Sequence, residues 1–207
     1  MSLKNILLVF FLFFFSFVYS QNFRGGVLAG ITATQVSGDR LSGPDKGGLC
    51  FGPYINLQIN EKSSVQMEFE FIQKGSRRNP DSLSNYSYLL RLNYIEIPVH
   101  YLYRFSEKFS LETGLSYATK ISSYEAINGY EHEAGDIPFE KRDFSFNIGL
   151  YYHIGDRTKV NIRYSNSMVQ IRKHRSGLET FFNKGQYNEV ILIALQYQIK
   201  HLFNTTK

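Results

Sequence analysis

One cysteine, Cys50, stands in a chain of 207 residues, which excludes an intramolecular disulfide framework and a multi-cysteine metal cluster. Beyond the N-terminal segment no apolar run is long enough for a membrane helix, so the rest of the chain is either soluble after export or inserted as a barrel. No glycine-rich phosphate loop, close-spaced metal motif or nucleic-acid signature occurs. The formal net charge of +5 is spread along the chain and not gathered into one block, so it singles out no partner, and nucleic acid is not expected. Tryptophan is missing altogether. The aromatic share of 16% is carried by 15 Tyr and 18 Phe, residues that favour strands.

Residues 1–20 read as a signal peptide. Lys4 supplies the positive start, Ile6 to Val18 is an almost unbroken apolar run, and Val18-Tyr19-Ser20 precedes a cleavage point at Gln21. The apolar run falls short of the ~20 residues that span a bilayer. No cysteine marks a lipid-anchored terminus. Residues 21–207 then form one domain, a length that suits one core and not two.

From Phe23 onward apolar residues recur at every second position, the period of a strand. Ile95, Ile97, Val99, Tyr101, Tyr103 and Phe105 share one face, as do Phe144, Phe146, Ile148, Leu150 and Tyr152, and again Ile191, Ile193, Leu195, Tyr197 and Ile199. Tight polar turns at 60–62, 106–108 and 155–158 alternate with long polar loops near 35–47, 76–87, 122–142 and 172–187. The pattern predicts an all-β fold, a closed up-and-down antiparallel transmembrane β-barrel of about eight strands, with both chain ends on the periplasmic, short-turn side.

A soluble barrel with an apolar ligand cavity shows the same alternation turned inside out. The polar face favours the membrane orientation. It carries Gly26, Gly30, Gly52, Gly114 and Gly149, small residues that fit the crowded interior of a narrow barrel. It also carries charges of both signs, where a solvated exterior is richer in lysine. The apolar stripe is therefore expected to face lipid, with Tyr103, Phe105, Phe109, Phe144 and Tyr197 as an interfacial girdle. One segment breaks phase: Leu90, Leu92 and Tyr94 are even-numbered, whereas the stripe from Ile95 is odd. A bulge near Tyr94 and Ile95 is predicted to absorb the slip, with Pro98 just beyond it.

Four stretches, 66–75 (QMEFEFIQKG), 93–99 (NYIEIPV), Asp143-Phe144 with Asn147-Ile148-Gly149, and Arg163-Tyr164-Ser165, resemble the PorT-like family of outer-membrane β-barrels from Gram-negative bacteria. With the closing strand over 190–199 the similarity spans nearly the whole of residues 21–207. At Asn166-Ser167-Met168 the chain departs from the glycine-leucine pair common in that family. The resemblance implies the barrel fold and residence in the outer membrane. It also implies an association with a secretion system, although most relatives have no assigned activity.

The inward face nominates a lumen charge network of Glu68, Glu70, Glu96, Arg104, Glu112 and Arg163. Unpaired buried charge is costly, so such a network must be nearly fully paired, and that pairing plugs the lumen against ion flow. His100 and His153 share the polar face. With a glutamate they offer metal ligands without a close-spaced motif, and no metal or cofactor is expected. With a lumen serine they offer the parts of a membrane-embedded lipid-modifying hydrolase, but such sites usually face lipid while both histidines face inward. The run Arg172-Lys173-His174-Arg175 falls on an outer loop, and Arg172, Lys173 and Arg175 are the candidate contacts to lipopolysaccharide phosphates or an acidic partner. The expectation is a non-enzymatic barrel, with no catalytic residue, that binds, scaffolds or assists the envelope or secretion machinery. The hydrolase and the soluble carrier are its alternatives.

Overall fold

The computed structural model of the chain describes residues 22–39, 41, 43–80, 85–131, 137–173 and 185–199; the predicted signal peptide and Arg175 lie outside them. The strands are β1 (Asn22–Ser37), β2 (Lys46–Gln58), β3 (Ser63–Glu68), β4 (Glu70–Arg78), β5 (Tyr88–Arg104), β6 (Phe109–Ile127), β7 (Tyr130–Glu131), β8 (Arg142–His153), β9 (Thr158–Ser167), β10 (Arg172–Lys173) and β11 (Gly185–Gln198). All pairings are antiparallel. β2 pairs with both β3 and β4, and β5 lies against both on the other side, so β3 and β4 form a single stave interrupted at Phe69. The two-residue strands β7 and β10 extend the long-loop ends of β6 and β11. Among the described residues this leaves eight staves, matching the expected number.

The ring closes where β1 meets β11, in register from Gly26 opposite Gln198 to Ser37 opposite Tyr187. Closure is what makes a sheet tolerable in hydrocarbon, because every backbone donor and acceptor then has a neighbour and no edge remains. The short turns are held locally. Asn60 Oδ1 accepts from the Lys62 and Ser63 amides at 2.9 and 2.8 Å, and Ser106 Oγ accepts from the Phe109 amide at 3.0 Å, as side chains of this kind do in tight turns. The described chain ends lie on the same rim, where the Ile199 amide donates to the Gly25 carbonyl.

The apolar stripe faces outward. Ile31, Leu115, Phe146, Ile162, Ile193 and Leu195 are all exposed, while their chain neighbours Thr32, Ser116, Asn147, Arg163 and Ala194 are buried. A water-soluble barrel with a greasy cavity would show the reverse, so the soluble-carrier alternative is overturned. On the short-turn rim Phe105, Phe109 and Tyr152 form a run of ring contacts at 6.2 and 5.3 Å, and Tyr117 meets Phe144 at 5.0 Å toward the other rim. Phe105, Phe109 and Phe144 are among the rings expected for the girdle from the sequence; Tyr103 and Tyr197 are exposed as well, and Tyr117 and Tyr152 are additions to that expectation.

The predicted phase slip in β5 does not occur. Leu90, Leu92 and Tyr94 are fully buried, and burial continues on even positions through Glu96, His100 and Leu102. What changes at Tyr94 is the chemistry of the inner face and not its register. The long-loop half of the lumen is largely apolar, built from Val36, Leu90, Leu92, Tyr94, Phe139, Ile171, Val190 and Leu192 around a few buried charges. A bulge does lie beside this point, but on the facing strand: Asn93 pairs with Ser122 and Tyr94 with Lys120, leaving Ile121 as the extra residue of β6.

Glycine sets the closest approach of the staves. A Cβ at Gly52 would run into the Phe69 carbonyl and the Glu70 backbone, whereas one at Gly47, five residues earlier in β2, would meet open space.

Candidate functional site

Below the apolar half, strands on opposite walls deliver charged side chains to the barrel axis. Arg163 on β9 points inward because its neighbours Ile162 and Tyr164 point out. Its Nε donates to Glu112 Oε1 at 2.7 Å, and its Nη2 donates to both oxygens of Glu68 at 2.9 Å. Glu70 Oε2 lies 3.8 Å from Nη1. One guanidinium thus gathers three carboxylates from β3, β4 and β6. His100 places Nδ1 3.5 Å from Glu112 and 3.8 Å from Glu68. Around this centre Gln66, Tyr151 and Gln196 form a collar: the amides of Gln66 and Gln196 both donate to Glu68 Oε1 and to the Tyr151 hydroxyl.

A second cluster sits closer to the long loops. Lys74 Nζ lies 2.8 Å from Glu96 and 3.1 Å from Asp143, with Asn188 donating to the same Asp143 oxygen at 2.9 Å. The Tyr94 ring covers the ammonium at 5.1 Å. A third cluster caps the lumen, where Arg172 Nη1 donates to both Glu125 oxygens at 3.1 and 3.2 Å and the Tyr88 hydroxyl donates to the same carboxylate. Phe139 lies flat against this cap, 4.4 Å from the Arg172 guanidinium, and its carbonyl accepts from Lys120. Beside the cap, in the turn after β1, burial pushes the Asp39 carboxyl above its ordinary value, with hydrogen bonds from Ser76 and the Leu41 amide opposing the rise.

The structure therefore brings together Glu68, Glu70, Glu112 and Arg163, and carries Glu96 into a neighbouring cluster with Lys74 and Asp143. Arg104 is misplaced in the sequence reading. It stands exposed on the short-turn rim, with its Nη2 3.4 Å from His153 Nδ1, away from the carboxylates. Arg172 is likewise not an outward anion contact, because it is buried on Glu125; Lys173 beside it is exposed. Lys74, Asp143, Gln66, Tyr151 and Gln196 were missed, although their inward phase in the alternation marks every one of them.

Two chemistries can be weighed on this geometry. Glu68, His100 and Glu112 present ligand atoms close enough together to hold a metal ion, but the Arg163 guanidinium already bonds both carboxylates and stands where an ion would go. The Ser110 hydroxyl lies 2.8 Å from His153 Nε2, the contact a nucleophile and its base would make. The group at Nδ1, however, is the Arg104 guanidinium and not a carboxylate. An arginine only donates, so Nδ1 accepts and Nε2–H donates to Ser110, the wrong direction for taking the serine proton.

Beneath the plug the lumen opens to the short-turn side. A cleft of about 390 Å³ lies between Arg24, Arg104, Lys108, His153 and Lys159 at the rim. A smaller cavity of about 30 Å³, lined by Asn56, Ser64 and Tyr151, adjoins it and shares Arg24, Arg104, His153 and Lys159 as walls.

Comparison with known proteins agrees with this architecture. The outer-membrane protein Ail of Yersinia pestis is 14% identical, with a TM-score of 0.50 over 85% of this chain and 98% of its own. A second crystal structure of Ail, of the same TM-score, identity and nearly the same coverage, holds the heparin analogue sucrose octasulfate. Neisserial surface protein A is 10% identical, with a TM-score of 0.53 over 84% of this chain and 97% of its own. At these identities the likeness concerns the fold. A comparison with curated proteins returns no match. Residues 19–172, most of the chain, match the family described as outer membrane protein beta-barrel domain, and the protein belongs to that family as an outer-membrane β-barrel of eight staves.

Proposed function

We propose that the protein is a non-enzymatic, non-conducting outer-membrane barrel that works by contact at its long-loop, cell-surface end. The observation that carries this reading is the filled lumen: among the described residues, Arg163 with its three glutamates, the collar of Gln66, Tyr151 and Gln196, and the mostly apolar storey above are buried side chains packed across the barrel interior. A barrel of eight strands has an interior just wide enough for side chains, and here they fill it. The hydrolase alternative is disfavoured by the cation at His153 Nδ1 and by the burial of His100 among bonded groups.

The surface partner this reading favours is a polyanion, with the phosphates of lipopolysaccharide as the abundant source. Arg77, Arg91, Lys141, Arg142 and Lys173 stand exposed toward the long-loop end. Ail, of similar fold, has been crystallised with a sulfated sugar. A second reading, a PorT-like accessory of protein secretion, rests on the Asn93–Val99 stretch and is tested by co-purification from native membranes. Export through a signal peptide cleaved after Ser20 belongs to the same proposal, and mass spectrometry of the membrane-extracted protein should find Gln21 as its first residue.

Purified protein in planar bilayers should give no steady conductance above background, and heat should shift its migration on gels, as for folded barrels. Large, persistent open-channel currents would refute the plug. Binding of lipopolysaccharide should weaken by roughly tenfold in an Arg91→Ser, Lys173→Ser double variant, in keeping with the loss of two charge-assisted contacts of partly exposed groups. Unchanged affinity would remove the polyanion as the partner of this face.

A further inference from the structure

The long-loop reading leaves the opposite mouth without a task, and that mouth is strongly cationic. Arg24 on β1, Arg104 on β5, and Lys159 on β9 all occupy inward positions of their strands and converge on the cleft at the short-turn rim. Arg24 and Arg104 both lie near enough to Lys159 to repel its charge. Lys62 and Lys108 add two more positive groups to the walls. The acids present are Glu107 and Asp156, both exposed at the rim, and among the described residues neither forms an ion pair with Arg24, Arg104 or Lys159. Deeper in the same lumen Arg163 and Lys74 each have at least two carboxylates in reach. The contrast lies within one barrel: cations are matched with acids in the plug and left unmatched in the mouth.

The mouth is also built and not merely crowded. The Arg24 Nε is shielded from solvent and has no hydrogen-bond acceptor. Lys159 is held 5.8 Å over the ring of Tyr151, the collar residue that lines the smaller adjoining cavity. His153, fixed between Arg104 and Ser110, lines the wall as a neutral donor–acceptor. Gathering like charges in a partly desolvated cleft is unfavourable, and an oxyanion there would turn the repulsion into charge-assisted bonds. We propose that the periplasmic mouth of the barrel binds a phosphate-bearing anion, held by Arg24, Arg104 and Lys159. The planar fork of each arginine suits two phosphate oxygens, and the lysine supplies a third positive contact. The cleft of about 390 Å³ admits a phosphate ester with a small organic body. The same chemistry is offered by a free periplasmic solute and by a phospholipid headgroup of the inner leaflet.

The test uses the folded barrel in phosphatidylcholine nanodiscs, titrated with inorganic pyrophosphate and followed by the imidazole resonances of His153. A saturable shift is expected, with affinity weakened about a hundredfold in the Arg24→Gln, Lys159→Gln double variant, each lost charge-assisted bond being worth roughly tenfold. Heat-modifiable migration of the variant establishes that it is folded, and Arg104→Gln, at the exposed rim, supplies a second variant remote from the core. Repeating the titration with phosphatidylglycerol in the disc separates the sources. Competition that vanishes in the double variant assigns the site to a headgroup, and no competition assigns it to a soluble phosphate ester. Absence of a saturable shift up to ~10 mM, a concentration at which binding carries under about 3 kcal/mol, would overturn the proposal. So would an affinity unchanged in both variants.

Discussion

Arg163→Met is expected to lose at least about 3–5 kcal/mol of stability, the range found when one member of a buried ion network is removed and its partners are left uncompensated. Here the stranded groups are Glu68 and Glu112, each fully buried and each bonded to the same guanidinium, with Glu70 close by. Glu68 and Glu112 lie shielded from solvent behind the collar of Gln66, Tyr151 and Gln196. The measurement is the denaturant midpoint in detergent micelles, read by heat-modifiable migration. Adding Glu68→Gln and Glu112→Gln to Arg163→Met should recover most of the loss, since amides need no counter-charge. If the single variant unfolds at the wild-type midpoint, the network is not what holds the walls together.

Gly52→Val should prevent the barrel from closing. The new side chain would begin inside the Phe69 carbonyl, at the point where β3 gives way to β4, and a backbone carbonyl in a ladder cannot swing aside. Overpacking a well-packed interior costs typically about 1–3 kcal/mol, and more when backbone must move. Refolding into micelles should leave this variant in the slow-migrating, unfolded band. Gly47→Ala, in the same strand but facing open space, should refold like the wild type. Equal behaviour of the two would mean that stave spacing is not set by glycine at Gly52.

The architecture was legible because alternation is a local property. Ile191, Ile193 and Leu195 declare an outward face within a few residues, and the short turns at 60–62 and 106–108 declare the rim. Position along the barrel axis is not local, and there the reading failed. Arg104 has the inward phase of a network residue, yet it ends its strand and so falls at the rim, beside His153. Arg172 looks like a solvated loop cation in the sequence. Its partner Glu125 lies 47 residues away, and nothing short of the fold places them together. Lys74 and Asp143 were overlooked for the same reason, their pairing spanning 69 residues.

The misread slip at Tyr94 has a different cause. Reading the inner face as polar throughout makes Leu90 and Leu92 look out of phase, whereas the long-loop half of the lumen adds an apolar cluster around the buried Lys74 and Glu125. Hydrophobicity alone cannot tell a lipid-facing leucine from one that packs a lumen. Only the phase relation to Glu96 and His100, unbroken along β5, does so.

The central claim is the orientation of the sheet, and β11 tests it most directly. Nitroxide labels placed singly at each position from 190 to 197, in a Cys50→Ser background in lipid bilayers, report contact with dissolved oxygen, which concentrates in hydrocarbon. Oxygen contact should alternate, with maxima at Ile191, Ile193 and Leu195 and minima at Val190, Leu192 and Ala194, following the exposures along this strand. Maxima on the even positions, or a profile without alternation, would contradict the account.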